Sequence, residues 1–168
     1  MKPVFDCFSE EYKDPFGAIE RGAQCRFTVK FPDDTMIEEP VLVMFRPGFK
    51  ERFIKLEKTG SAEGFTSYSC VYIPYDTGLH HYYFSLLINR NRHYIKKNGA
   101  SEGVIDNGDL FQLTVYEQGM TTPDWLKGGV MYQIFPDRFA KSGLPHNDIP
   151  YDRKIHTEWN DMTILIFN

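Results

Sequence analysis

Alternation is the strongest pattern in this chain. Residues 25–31 set Phe27, Val29 and Phe31 against Arg26, Thr28 and Lys30, the period-two signature of a half-buried antiparallel strand. Pro32-Asp33-Asp34 breaks that run, and Val41, Val43 and Phe45 supply the next inward set before Pro47-Gly48. Residues 53–58 read as one strand, with Ile54 and Leu56 opposed to Phe53, Lys55 and Glu57. Residues 65–73 carry Tyr68, Cys70 and Tyr72 on one face. The clearest strand is 79–88, where Tyr82, Phe84, Leu86 and Ile88 face a core and His81, Tyr83 and Ser85 face outward. Asn89-Arg90-Asn91 predicts a turn into a short strand at 93–97, and Asp106-Asn107-Gly108-Asp109 predicts a loop with positive φ at Asn107-Gly108. Residues 110–116 alternate again, with Phe111, Leu113 and Val115 inward. Short strands separated by turns, with no long helical period, predict an antiparallel two-sheet sandwich over residues 20–116.

The pattern changes near residue 119. Residues 119–129 read as a linker holding one helical turn, with Thr122 as N-cap, Pro123 at the first helical position and Gly128 ending it. Residues 130–135 are apolar on both faces apart from Gln133, as expected of a strand in a parallel sheet covered on both sides. The chain therefore divides by pattern into a sandwich, 1–118, and a second segment, 119–168.

Composition narrows this further. A complete (β/α)₈ barrel takes about 250 residues, and the chain has 168. Hydrophobic residues at 42% and charged residues at 25% are ordinary globular values and exclude a disordered chain. The 15% aromatic share favours a β core. The net charge is −4, and the densest basic stretch, Arg90, Arg92, His93, Lys96 and Lys97, reads as the polar side and exit of a strand rather than a phosphate-binding stripe. No nucleic-acid partner is expected. No apolar run approaches the length of a membrane helix, and residues 1–6 do not form a secretory signal, so no membrane role is expected. Cys7, Cys25 and Cys70 are odd in number and widely spaced, which suits buried thiols in a reducing, cytoplasmic setting. His80 and His81 point to opposite faces of one strand and cannot share a metal ion without distortion.

One stretch carries a family likeness. Thr122-Pro123-Asp124-Trp125-Leu126-Lys127, followed by Val130-Met131-Tyr132-Gln133-Ile134-Phe135-Pro136-Asp137-Arg138-Phe139, resembles the opening of the catalytic barrel in α-amylase-family glycoside hydrolases of the neopullulanase, maltogenic amylase and pullulanase type. Asp14-Pro15-Phe16-Gly17-Ala18 and Gln112-Leu113-Thr114-Val115-Tyr116 resemble the immunoglobulin-like N-terminal domain of such enzymes. The resemblance implies an immunoglobulin-like antiparallel β-sandwich, a linker and a truncated start of a (β/α)₈ barrel. Tyr132, Gln133, Phe135, Pro136, Asp137, Arg138 and Phe139 would serve there as structural residues of the first barrel strand and its exit.

The implied activity is retaining hydrolysis or transfer at α-glucosidic bonds, which needs two carboxyl groups about 5–5.5 Å apart. In the family those groups stand on later barrel strands, so no residue here inherits a catalytic role. The expectation is a non-catalytic piece of an α-glucan hydrolase that docks substrate, positions a barrel or contacts a second copy in a homodimer. The alternative is a self-standing carbohydrate-binding or protein-interaction module.

No organic cofactor is implied. Some members hold calcium in the loop after the first strand, where Asn147 and Asp148 match the last pair of the pattern while Lys141 replaces a usual Asn. Calcium takes 6–8 oxygen ligands, so a solvated loop is the better reading of this stretch, with calcium left to the full-length parent. Residues 162–168 depart from the family, as a shifted or early-stopped reading frame would. Tyr83 and Tyr116, outward by parity, are the candidates for stacking against an α-glucan oligosaccharide; most of the remaining tyrosines should fill the core.

Overall fold

The computed structural model describes residues 4–134. Packing divides the chain into two units, Met1–Thr121 and Thr122–Asn168. The first unit is built almost wholly of strands: β1 (Lys13–Asp14), β2 (Ile19–Glu20), β3 (Cys25–Pro32), β4 (Ile37–Phe45), β5 (Arg52–Lys55), β6 (Glu57–Ala62), β7 (Phe65–Tyr72), β8 (Gly78–Ile88), β9 (Asn91–Asn98), β10 (Glu102–Ile105) and β11 (Phe111–Tyr116).

The strands form two sheets. The smaller runs β1-β3-β7-β6; in the larger, β8 is flanked by β4 and β5 on one side and by β11 and β2 on the other, with the β9–β10 hairpin extending it. Pairing is antiparallel except where β2 runs parallel to β11. This is the immunoglobulin-like arrangement, with a first strand that contributes β1 to one sheet and β2 to the other. The crossing is fastened by Lys13, which is buried and donates its ammonium to Pro15 O (2.9 Å) and Gly17 O (2.7 Å). A buried ammonium is tolerable only when its donors are satisfied.

Phe27, Val29 and Phe31 of β3 face Tyr82, Phe84 and Leu86 of β8 in one apolar core, joined by Phe111, Leu113 and Val115 of β11. Phe27 meets Tyr82 edge-on across the sheets at 5.1 Å. Phe5, outside any named strand, is fully buried and plugs the gap: Val4 O accepts from Lys30 N of β3, while Phe5 O accepts from Gly103 N of β10. The three cysteines are free, and burial raises the Cys25 thiol to about 11 and the Cys70 thiol to about 12, so both behave as small hydrophobes.

Three local expectations in the sandwich need correction. In β4 the core residues are Leu42 and Met44, which pair with Phe84 and Tyr82, whereas Val41, Val43 and Phe45 take the opposite face. Five successive apolar residues carry no parity signal, and the irregularity between Glu38 and Val41 resets the phase. Residues 53–58 are not one strand: β5 pairs with β4 in the larger sheet, β6 with β7 in the smaller, and the buried Leu56 is the corner between them. At the 106–109 loop the positive φ values belong to Asp106 (59°) and Gly108 (99°) rather than Asn107. The β8–β9 turn, by contrast, has Asn89 and Arg90 both at positive φ, the two-residue turn that matches strand twist.

In the second unit, Asp124–Leu126 form one 3₁₀ turn, with Pro123 rather than Thr122 at the N-cap position and no side-chain cap. The expected strand at 130–135 is not formed within its described residues: 130–134 make no ladder, and Val130, Met131 and Tyr132 are 95, 76 and 74% exposed. A run apolar on both faces becomes a strand only where neighbours pair with it, and among the described residues none does. Phe135, Pro136, Asp137, Arg138, Phe139, Asn147 and Asp148 lie outside the described residues.

Candidate functional site

Two loops meet at one end of the sandwich. Arg46-Pro47-Gly48-Phe49 turns the chain from β4 toward β5; Phe49 N donates to Arg46 O (3.0 Å) and Gly48 sits at φ 84°. Proline second and a positive-φ glycine third are what a type II turn demands. The second loop, residues 73–77, links β7 to β8. Between them lies a cleft of about 290 Å³, with Met44 and Phe45 as its apolar part and Arg46, Lys50, Glu51, Arg52 and Asp76 as its polar part.

The second loop is held from inside. His80, 3% exposed on the core side of β8, lies 3.0 Å from Asp76 O through Nε2 and 3.2 Å from Tyr72 Oη through Nδ1. A carbonyl can only accept, so Nε2 carries the proton and Nδ1 accepts from the tyrosine hydroxyl. Pro74 is also buried, and its carbonyl accepts from Gly22 N (2.8 Å).

This arrangement uses neutral histidine. Burial lowers the His80 pKa, its bond to Asp76 O and the Asp76 carboxylate oppose that shift, and Arg46 and Arg52 reinforce it; burial raises the Tyr72 phenol. The unfolded chain therefore takes up a proton near pH 6.5 that the folded chain refuses until lower pH. Stability is at its full value above pH 6.5 and declines as pH falls from there toward the folded pKa. The expected result is a melting temperature that drops on going from pH 7.5 to 5.5, with His80→Gln losing the His80 share of that drop. An identical pH slope in the variant would contradict this role.

Phe49 lines the cleft, and Tyr75 stands at its rim, next to the lining Asp76. Phe49 is 62% exposed and Tyr75 66% exposed. Arg46 lies over the Phe49 ring at 4.8 Å and Arg52 over the Tyr75 ring at 5.6 Å, with Asp76 Oδ2 4.0 Å from Arg52. Each ring is left on a loop surface beside a guanidinium, and Asp76 adds an acceptor next to Arg52.

The residues expected to stack do not come together. Tyr83 and Tyr116 share the outer face of the larger sheet, but Val115 pairs with Gly78, which sets them six residues apart along β8, roughly 20 Å at ~3.4 Å per residue. Tyr83 instead meets Tyr94 edge-on at 5.8 Å, a geometry that offers no common plane. Two side chains of the basic stretch after β8 are engaged within the fold: Arg92 pairs with Glu39 at 3.0 Å and bonds Ser85, while His93 bonds Asp106. Tyr132 and Gln133 are exposed. The sequence reading missed Phe49, Tyr75, Arg46 and Arg52. The available signal was an aromatic beside Pro-Gly and another directly after proline, places where no strand demands a core residue.

An amylopullulanase of Thermoanaerobacter thermohydrosulfuricus is 29% identical over 167 residues, covering 90% of this chain and 11% of its own. Neopullulanase 2 of Thermoactinomyces vulgaris is 63% identical over 30 residues, 18% of this chain and 5% of its own. The chain is related to the α-amylase family of glycoside hydrolases. A solved cyclomaltodextrinase aligns with 88% of this chain and 25% of its own, at 18% identity and a TM-score of 0.49. No family model matches the chain. The chain spans about a tenth of the length of the amylopullulanase it matches (11%).

Proposed function

We propose that this chain is a non-catalytic, sandwich-bearing part of a glycoside hydrolase that acts on α-glucans, and that the sandwich docks the substrate. The similarity to an amylopullulanase carries this reading, because it runs along 90% of the chain and so takes in the sandwich as well as the barrel-opening motif. Docking rather than bond cleavage suits the cleft. Its carboxylates, Glu51 and Asp76, stand on exposed loops, whereas a general acid needs a secluded site that raises its pKa. The three free cysteines favour a reducing compartment, and we place the protein in the cytoplasm on that ground.

The test uses the 168-residue chain. Native electrophoresis through gels with and without soluble starch should show retardation by the polysaccharide, and incubation with maltohexaose or pullulan should release no new reducing ends. Turnover above that of a heat-denatured control would overturn the non-catalytic assignment. Unchanged mobility in starch would overturn docking.

A further inference from the structure

We propose that the cleft between residues 46–51 and 73–77 binds a short stretch of an α-glucan chain, with a sugar face laid on Tyr75 and the hydroxyls held by Arg52, Asp76 and Arg46. This inference rests on the docking reading above and assigns it a place.

The first argument is one of cost. A large aromatic side chain gains free energy when it is buried out of water, yet Phe49 and Tyr75 are 62 and 66% exposed on loops. The core neither needs nor uses them. A pyranose ring presents C–H groups on one face and hydroxyls around its rim, so it can cover such a ring while its edges stay polar.

The second argument is the kind of polar group beside the rings. Each sugar hydroxyl donates one hydrogen bond and accepts others. Arg52 and Asp76, 4.0 Å apart, supply donors and an acceptor side by side at the Tyr75 ring. Arg46 brings a further fork of donors, held against Phe49. Arg46, Lys50 and Arg52 are interleaved with Glu51 and Asp76, so a polyanion would meet two carboxylates among the three cations. A neutral ligand carrying both donors and acceptors fits this mixture.

The third is pre-organisation. The Tyr75–Asp76 loop is tied to the core by His80 and by the buried Pro74. Ordering such a loop costs little at the moment of binding, which raises the affinity that a few contacts can yield. The volume of about 290 Å³ sits at the small end of ligand sites, suited to a few rings of a longer chain.

The experiment titrates maltohexaose into the 168-residue chain and follows amide shifts by NMR alongside calorimetry. Shifts should concentrate at Phe49, Tyr75 and Asp76. Tyr75→Ala should weaken binding about tenfold or more, the loss of one aromatic face. Arg52→Lys keeps the charge, removes the planar fork and should weaken binding several-fold, and Tyr83→Ala should leave it unchanged. Tyr75 and Arg52 are exposed, so melting temperatures near that of the parent chain are expected for both variants and check that the fold is intact. If maltohexaose binds and neither cleft variant weakens it, the cleft is the wrong place while docking stands. If the parent chain shows no binding at tens of millimolar maltohexaose, docking falls and the cleft falls with it.

Discussion

Phe5→Ala is expected to lower the stability of the sandwich by about 3–5 kcal/mol, the cost of cutting a large aromatic from a packed interior. Phe5 is fully buried and packs edge-on against Phe84 (4.7 Å), Phe111 (5.0 Å), Tyr12 and Tyr82 (both 6.2 Å). Removing the ring leaves a cavity walled by four other rings, each held by its own strand or turn and poorly able to collapse inward. The loss should also propagate along the backbone. The segment around Phe5 closes the gap between β3 and β10 through Val4 O and Phe5 O, and Cys7 N donates to Ser101 O (3.1 Å). With the anchor gone, these bonds should open first. Thermal melting should fall by roughly 10–20 °C, and amide exchange at Gly103 should rise more than at Phe84. A loss under about 1 kcal/mol would mean the plug is dispensable.

Gly108→Ala is expected to cost about 3 kcal/mol, from two sources that act together. The residue sits at φ 99°, where an L side chain is strained. A Cβ built there would lie 2.2 Å from Lys97 O and 2.8 Å from Lys97 C, both backbone atoms. Backbone cannot rotate aside as a side chain can, so relief requires moving the strand. That strand end is the one that matters: Lys97 N donates to Asp109 O (2.7 Å) and Asp109 N to Lys97 O (2.8 Å), which fixes where β11 begins. Equilibrium denaturation and exchange at Asp109 check the prediction. Melting within a degree or two of the parent chain would show that the loop yields without cost.

The strands with clean alternation were legible. β3, β8 and β11 turn the residues their parity names toward the core, Ile88 only partly buried, although Thr28 and Ser85 of the opposite faces are buried as well. β4 was not, since a run apolar on both faces can be phased either way. Phe5 has no alternation around it, and its importance comes wholly from strands far along the chain. Lys13 is a similar case: a lysine is ordinarily solvated, and only the crossing from β1 to β2 brings two carbonyls to its ammonium. The barrel-opening motif was plain as a string of residues, and it carried the family relation before any geometry did.

The sequence by itself determined the class of fold, the core faces of the best strands and the kinship with α-glucan-acting enzymes. These depend on local periodicity and on a contiguous motif, both of which are properties of neighbours in the chain. The site was decided by tertiary structure alone. Tyr83 and Tyr116, alike by parity, are set far apart by the register of β8 and β11. Phe49 lines the cleft, and Tyr75 stands beside it against the lining Arg52, because β4 and β8 pair side by side and their loops leave the same end of the sandwich. Register and sheet order are long-range quantities fixed by pairing across many residues, and no window along the chain contains them.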